Sequence, residues 1–343
     1  MSTSKAVTLH DVAKEAGVSP ITASRALRDP SIVASGTVER VRRAVEATGY
    51  LPNLLAGGLK SNRSRTVAAL VPGISVPQFL PTVQALTDEL DRAGYQLILG
   101  QTGYHRARES VLLETMLSRR VDGIVVTGLV EADQAIEGLR RAAIPVVETW
   151  DLTDRPVDMV VGLSHVKVGG AVAGYFLAKG WQRVGVATAD DRRATQRRDG
   201  FAAAYGRDVP TATVPSPSSV PLGRTAMAQL LDRHPDLQAV YCSSDALAQG
   251  ALIEAQSRGL RIPGDIALCG FGDADFAACL EPSLTTVRVD GAGMGRRAAS
   301  LILQRCEGED VAERIVDVGF SIVERASTAA SARGPSSQQQ RTR

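Results

Sequence analysis

From Val67 to Phe271 the chain alternates short apolar runs with amphipathic stretches of helical period. The runs VAALVP from Val67, YQLILG from Tyr95, DGIVVTG from Asp122, IPVVE from Ile144, RVGVAT from Arg183, LQAVYC from Leu237 and IALCGF from Ile266 read as strands buried on both faces. Stretches near 79–93, 106–118, 133–142, 166–179, 196–205, 222–233 and 245–258 separate them and read as helices. Repeated strand–helix units predict parallel sheets covered by helices. About 260 residues of this pattern exceed one comfortable core. Two doubly wound lobes are therefore expected, with a break near Val161 and Gly162 and further crossovers near Val289 and Phe320. Ligands of such sheets bind beyond the carboxyl ends of the strands, here in the cleft between lobes.

The N-terminal stretch TLHDVAKEAGVSPITASRAL, Thr8 to Leu27, has a different pattern. Thr8 with Asp11 three residues later has capping-box spacing, and Val12, Ala13 and Ala16 form one apolar face. Gly17 suits the left-handed turn that ends a helix, and Val18 plugs the corner. Ser19 followed by Pro20 is an N-cap with proline at the first helical position. On that second helix Ala23, Ala26 and Leu27 share one face, leaving Pro20, Ile21, Ser24, Arg25 and Arg28 to point outward. Any small helical hairpin needs caps and a glycine, so the spacing alone also fits a protein-contact module. Charge favours a nucleic-acid partner: residues 1–66 hold ten Lys or Arg against five Asp or Glu, so +5 of a net +2 lies here and about −3 elsewhere. A basic patch at one end attracts phosphates.

These residues, together with RVRRAVEATGYLPNLLAGGL and the C-terminal region, resemble the LacI/GalR family of bacterial transcription regulators over nearly the whole chain. The resemblance implies an all-α helix-turn-helix headpiece joined to an α/β core like that of periplasmic binding proteins, built of two doubly wound parallel-sheet lobes. It divides the chain into residues 1–52 for DNA binding, 53–65 as hinge helix and linker, 66–325 for effector binding and dimerisation, and 326–343 as tail. Residues 19–27 become the recognition helix, Val38 to Thr48 the third helix and Asn53 to Leu59 the hinge.

Pro20, Ile21 and Arg25 are the implied base readers. Arg25 suits guanine O6 and N7, and Ile21 a thymine methyl. Thr22, Ser24, Arg28 and Asn53 are assigned to phosphate contacts, and Thr8 and Ser19 complete the DNA-binding set. Leu59 matches a leucine that wedges into the minor groove and kinks the duplex. Gly57 and Gly58 precede it, each costing a helix about 0.8–1 kcal/mol relative to alanine, so this hinge is expected to fold only between paired subunits on an operator. The implied partners are operator DNA, a small-molecule effector and a second copy of the chain, with a tetramer left open.

Nothing in the sequence predicts export. The N-terminus lacks an apolar signal core, no run approaches eighteen apolar residues, and Cys242, Cys269, Cys279 and Cys306 lack paired or metal-ligand spacing. A cytoplasmic, nucleoid-associated protein without membrane contact, metal or cofactor is expected. From about Ala326 the chain has almost no apolar content and reads as a disordered tail. An enzyme on the same scaffold is a competing class. GAGMG from Gly291 lacks the lysine of a phosphate loop, Ser164 and Lys167 lack the companions of an acyl-transfer site, and the histidines at 10, 105, 165 and 234 are dispersed. A cytoplasmic carbohydrate-binding protein with no DNA role is the other alternative.

For the effector, Arg197 in RRDGF matches a family arginine that grips a sugar or an anionic group, and an arginine fork suits a carboxylate. Ser244 takes a position often held by asparagine, and Asp245 matches an acidic neighbour that caps the next helix. Gly272 stands where the family has an aspartate for sugar hydroxyls, leaving Asp273 and Asp275 as substitutes. Val220 replaces an aromatic that stacks on a pyranose. Loss of both argues against a cyclic sugar, and several segments look like the gluconate-utilisation repressors of the family. The expected effector is gluconate or a related sugar acid, with Arg197 on its carboxylate and Gln78, Phe79, Glu148 and Asp151 contributing. Glu148 also fits a lobe-hinge or dimer role. The resemblance tilts toward induction, in which effector binding releases the operator.

Overall fold

The computed structural model describes residues 7–50, 63–104 and 106–329, with all of their side chains except those of Arg28 and Arg106. The expected contacts of Asn53, Leu59 and the Arg28 side chain, and the tail from residue 330, lie outside the described residues. The chain forms two compact units, divided between Ser64 and Arg65.

In the first unit α1 (Leu9–Glu15), α2 (Pro20–Arg28) and α3 (Ser35–Thr48) enclose a small core. Val12, Ala13, Ala16, Ala23, Ala26, Val38, Val41 and Ala44 are buried in it. Five of these eight are alanine, which lets short helices approach closely where a core of larger side chains would not fit. Gly17 has φ of 64°, the left-handed turn expected of it. The third helix begins at Ser35, three residues before the expected Val38, and ends at Gly49 with φ of 65°.

The second unit holds two six-stranded sheets. One lobe contains β1 (Thr66–Val71), β2 (Gln96–Gln101), β3 (Gly123–Thr127), β4 (Val146–Thr149) and β5 (Met159–Gly162), with α4 (Leu80–Arg92), α5 (Arg106–Ser118) and α6 (Asp133–Ala142) between them. The other contains β6 (Val184–Ala189), β7 (Thr211–Val214), β8 (Ala239–Cys242), β9 (Ala267–Phe271) and β10 (Thr285–Arg288), with α7 (His165–Ala178), α8 (Arg192–Tyr205), α9 (Val220–Arg233) and α10 (Asp245–Ser257). After β10 the chain returns to the first lobe as α11 (Gly291–Cys306), which packs on α4, and β11 (Ile315–Asp317). It then ends in the second lobe with β12 (Ser321–Val323). The three crossings thus follow β5, β10 and β11, where the apolar pattern put them.

The strand orders are β11-β5-β4-β3-β1-β2 and β12-β10-β9-β8-β6-β7. Every pairing is parallel except β10 with β12, which is antiparallel. Two expectations change. β2 lies at a sheet edge and leaves Leu99 exposed, so it is not buried on both faces. The polar stretch after Ala326 does not leave the fold at once: residues Ala326–Thr328 form a 3-10 turn with Ser327 and Thr328 buried. Ser327 Oγ accepts the Thr285 N–H and donates to the Leu268 carbonyl, so hydrogen bonds hold a segment that its apolar content left unanchored. Among the described residues no helix is long and apolar enough to cross a membrane.

Candidate functional site

On the first unit the capping groups are occupied by their own helices. Thr8 donates its N–H and its hydroxyl to the Asp11 carboxylate at 2.8 and 2.7 Å. Ser19 Oγ accepts the Thr22 N–H at 3.1 Å and lies 2.8 Å from the Thr22 hydroxyl. Pro20, Thr22 and Ser24 are half-buried, whereas Ile21 and Arg25 are exposed. Ile21 is 66% exposed, unusual for an isoleucine, and it lies one turn before Arg25 on the same face. Among the described residues no ion pair holds Arg25, so α2 presents one apolar and one cationic side chain outward.

In the second unit the helices that follow β6, β7 and β8 begin at one cleft. Their N-caps are Asp191, Ser219 and Ser244, each accepting a backbone N–H of its own first turn. Free N–H groups and helix dipoles at such ends favour negative charge. They surround a chamber of about 390 Å³ whose wall includes Gln78, Tyr104, Arg193, Arg197, Val220, Ser244 and Gly272. An adjoining chamber of about 430 Å³ shares Tyr104, Asp191 and Arg193 with it and adds Asp151, Asp190 and Arg192.

Arg197 is 3% exposed. Its Nη1 lies 2.9 Å from His165 Nδ1, its Nη2 donates to the Ser243 carbonyl at 2.8 Å, and its guanidinium lies 4.0 Å from the Phe271 ring centroid. Its Nε–H is buried and has no acceptor among the described residues. Because arginine only donates, His165 Nδ1 accepts, and the ring proton sits on Nε2, which donates to the Trp150 carbonyl at 2.8 Å. Burial and the neighbouring Arg197 hold the His165 imidazole well below its usual pKa, so it is neutral. Burial lowers the pKa of Arg197 from its ordinary value, and a guanidinium keeps its charge in proteins.

Asp245 also borders the smaller chamber. Its Oδ1 accepts from the Thr286 hydroxyl at 2.6 Å and its Oδ2 from the Ala274 N–H at 2.7 Å. Burial pushes its carboxyl from 3.8 up to about 6. Between these values the folded chain retains a proton that the unfolded chain has lost, so this group's contribution to stability falls as pH rises from about 4 to about 6 and is constant above. Asp245→Asn should flatten that part of the pH profile in urea unfolding. An unchanged slope would show that Asp245 is not the group responsible.

The description "Bacterial regulatory proteins, lacI family" matches residues 8–53, and "Periplasmic binding protein-like domain" matches residues 173–328. Over 328 residues the chain is 37% identical to the HTH-type transcriptional regulator GntR of Pseudomonas aeruginosa, covering 94% of this chain and 95% of that protein. The chain belongs to the lacI family of bacterial regulatory proteins. It is 30% identical to the HTH-type transcriptional regulator IdnR of Escherichia coli, over 92% of this chain and 97% of that one. A solved lacI-family regulator from Silicibacter pomeroyi superposes with a TM-score of 0.88 at 33% identity, covering 94% of this chain and 99% of the other. The transcription regulator GntR of Chromobacterium violaceum gives a TM-score of 0.74 at 36% identity, over 77% and 99%. As in these relatives, the helix-turn-helix and the two-lobed core make a DNA-binding transcriptional regulator, not an enzyme.

Of the effector positions carried over from the lacI-family pattern, the structure brings Gln78, Arg197, Val220 and Ser244 to the smaller chamber and Asp151 to the larger. Four others lie elsewhere. Phe79 is a core side chain, edge-on to Trp150 at 5.1 Å, where it supports the wall from behind. Glu148 is buried away from both chambers and ties two loops by accepting the Val130 and Val157 N–H groups at 2.8 and 2.9 Å. Asp273 is taken up by Arg288 and Arg325, and Asp275 is exposed on a 3-10 turn. The cap credited to Asp245 belongs to Ser244, whose Oγ accepts the Leu247 N–H at 3.3 Å. Three contributors carried no sequence signal beyond their type. His165, Arg193 and Tyr104 come from separate segments and meet only in the folded cleft. Asp151, 3% exposed, forms an ion pair across the cleft with Arg192 at 3.3 Å, and burial raises its carboxyl pKa.

Proposed function

We propose that the chain is a homodimeric cytoplasmic repressor of a sugar-acid catabolic operon, released from its operator when a gluconate-like acid closes the interlobe cleft. The observation that carries the effector class is Arg197: a buried guanidinium in the chamber wall with one N–H still lacking an acceptor. Three helix N-termini face the same space, which favours an anion over a neutral pyranose. Val220 and Gly272 leave room there instead of an aromatic platform and an acidic acceptor. Release follows from linkage, because an effector shifts DNA affinity only if it binds one lobe arrangement better than another.

Thermal-shift titration tests the reading directly, since a bound ligand stabilises the fold by mass action. Gluconate should raise the unfolding temperature and release a labelled operator in a gel shift. A stronger shift from a neutral pyranose would refute the carboxylate argument. On the DNA side Pro20, Ile21 and Arg25 read bases, Thr8, Ser19, Thr22, Ser24, Arg28 and Asn53 hold the backbone, and Leu59 enters the minor groove. Arg25→Ala should weaken operator binding by about 1–3 kcal/mol, roughly 5- to 150-fold, and relax base preference at one position per half-site. Selective, salt-sensitive DNA binding that survived deletion of residues 1–62 would refute the headpiece as the DNA reader, and absence of such binding in the full-length chain would favour a carbohydrate-binding protein without a DNA role.

A further inference from the structure

The smaller chamber presents two arginines, Arg193 and Arg197, from positions i and i+4 of α8, hence from one helix face. Both are buried, at 9% and 3% exposure. Among the described residues neither forms an ion pair with a carboxylate. Arg193 Nη1 donates to the Thr127 carbonyl at 3.3 Å, its guanidinium lies 5.2 Å from the Phe79 ring centroid, and the Tyr104 phenol is a further hydrogen-bonding neighbour. The bonds of Arg197 go to the neutral His165 and the Ser243 carbonyl, and its Nε–H has no acceptor.

The acids of the same wall are already engaged. Asp191 accepts from the Ala194 N–H at 3.1 Å and the Ser216 hydroxyl at 3.3 Å, and Asp245 from Thr286 and Ala274. The chamber therefore holds a surplus of unfilled N–H donors. Buried cations in proteins are ordinarily paired directly, and a cavity in which two of them lack a directly paired carboxylate among the described residues suits a ligand that brings the negative charge.

We propose that Arg193 is a second anion-binding residue and that the effector is a polyhydroxy acid with an anionic group at each end, one on Arg197 and one on Arg193. This rests on the sugar-acid reading of the cleft. The second group is a carboxylate or a phosphate, both of which fit an arginine fork.

Thermal-shift titrations of the full-length chain with gluconate, glucarate and 6-phosphogluconate test it. At least one dianion should half-saturate at a concentration about 10-fold or more below that of gluconate. Arg193→Gln should remove that advantage while gluconate stays within about threefold of wild type, and Arg193→Lys should keep most of it. A response confined to glucarate makes the second group a carboxylate, and one confined to 6-phosphogluconate makes it a phosphate. Gluconate binding as tightly as both dianions would overturn the proposal and leave the sugar-acid reading standing. So would Arg193→Gln weakening all three ligands equally, the behaviour of a merely structural arginine. No response to any of the three would overturn the proposal and the reading together.

Discussion

Arg197→Ala is expected to abolish effector response while the protein still binds its operator. A hydrogen bond from a charged donor to a carboxylate contributes up to about 3 kcal/mol to binding, so half-saturation by gluconate should move up by as much as roughly 100-fold. The cost to the unliganded fold should be smaller, because two effects oppose. Removing the guanidinium leaves His165 Nδ1 and the Ser243 carbonyl without their donor and opens space against Phe271. It also removes a buried cation that, among the described residues, forms no direct ion pair with a carboxylate. Arg197→Lys should do little better than alanine. One ammonium on a flexible stem does not reproduce a planar fork that reaches both His165 and Ser243 from the chamber wall. Thermal-shift and gel-shift titrations with gluconate check both variants, and an alanine variant released at wild-type gluconate concentrations would remove Arg197 from the site.

Gly169→Ala should destabilise the second lobe by about 3 kcal/mol and weaken effector binding with it. A Cβ at Gly169 would lie 2.0 Å from the Arg197 carbonyl oxygen and 2.6 Å from the Phe201 nitrogen. Facing it, a Cβ at Gly200 would lie 2.2 Å from the Val166 carbonyl oxygen. These are backbone atoms, which do not rotate aside, so α7 and α8 would have to separate. That displacement moves the helix that carries Arg192, Arg193 and Arg197. Gly170→Ala is the control. Its nearest neighbours would be the Ala204 Cβ at 3.7 Å and the Gly200 carbonyl at 3.9 Å, ordinary contact distances, and helix propensity favours alanine by about 0.8–1 kcal/mol. Urea unfolding of the two variants should therefore move in opposite directions. Equal effects would mean that close approach of the two helices does not limit this lobe.

The same device holds α9 on α10, where a Cβ at Gly223 would meet the Leu247 carbonyl at 2.3 Å and one at Gly250 the Val220 carbonyl at 2.1 Å. No period or propensity in the sequence marks these glycines. In isolation Gly169 and Gly250 read as weak points in helices, and only the position of the neighbouring helix shows why a side chain is excluded there.

Much of the architecture was legible because it rests on local rules. Thr8, Ser19 and Gly17 cap and turn where short-range geometry requires, and alternating apolar runs and helical periods specify parallel strand–helix units wherever the chain lies. The place of Arg197 in the chamber wall was legible through a matched segment. The edge position of β2 was not, because an apolar run is the same at an edge as in the middle of a sheet. The polar turn at Ser327 was missed because hydrogen bonds, not apolar area, hold it.

By itself, then, the sequence determined the helix-turn-helix, the two-lobed strand–helix order and the outward placement of Ile21 and Arg25, all consequences of caps and periods a few residues long. Tertiary structure alone decided the make-up of the candidate cleft. It drew Phe79, Glu148 and Asp273 into core packing and loop ties, made Ser244 and not Asp245 the cap, and joined Arg193, His165 and Tyr104 around Arg197. The physical reason is separation along the chain: these groups come from segments tens of residues apart. Their burial, their partners and their unfilled N–H groups come into being only when two sheets bring the helix N-termini to one cleft.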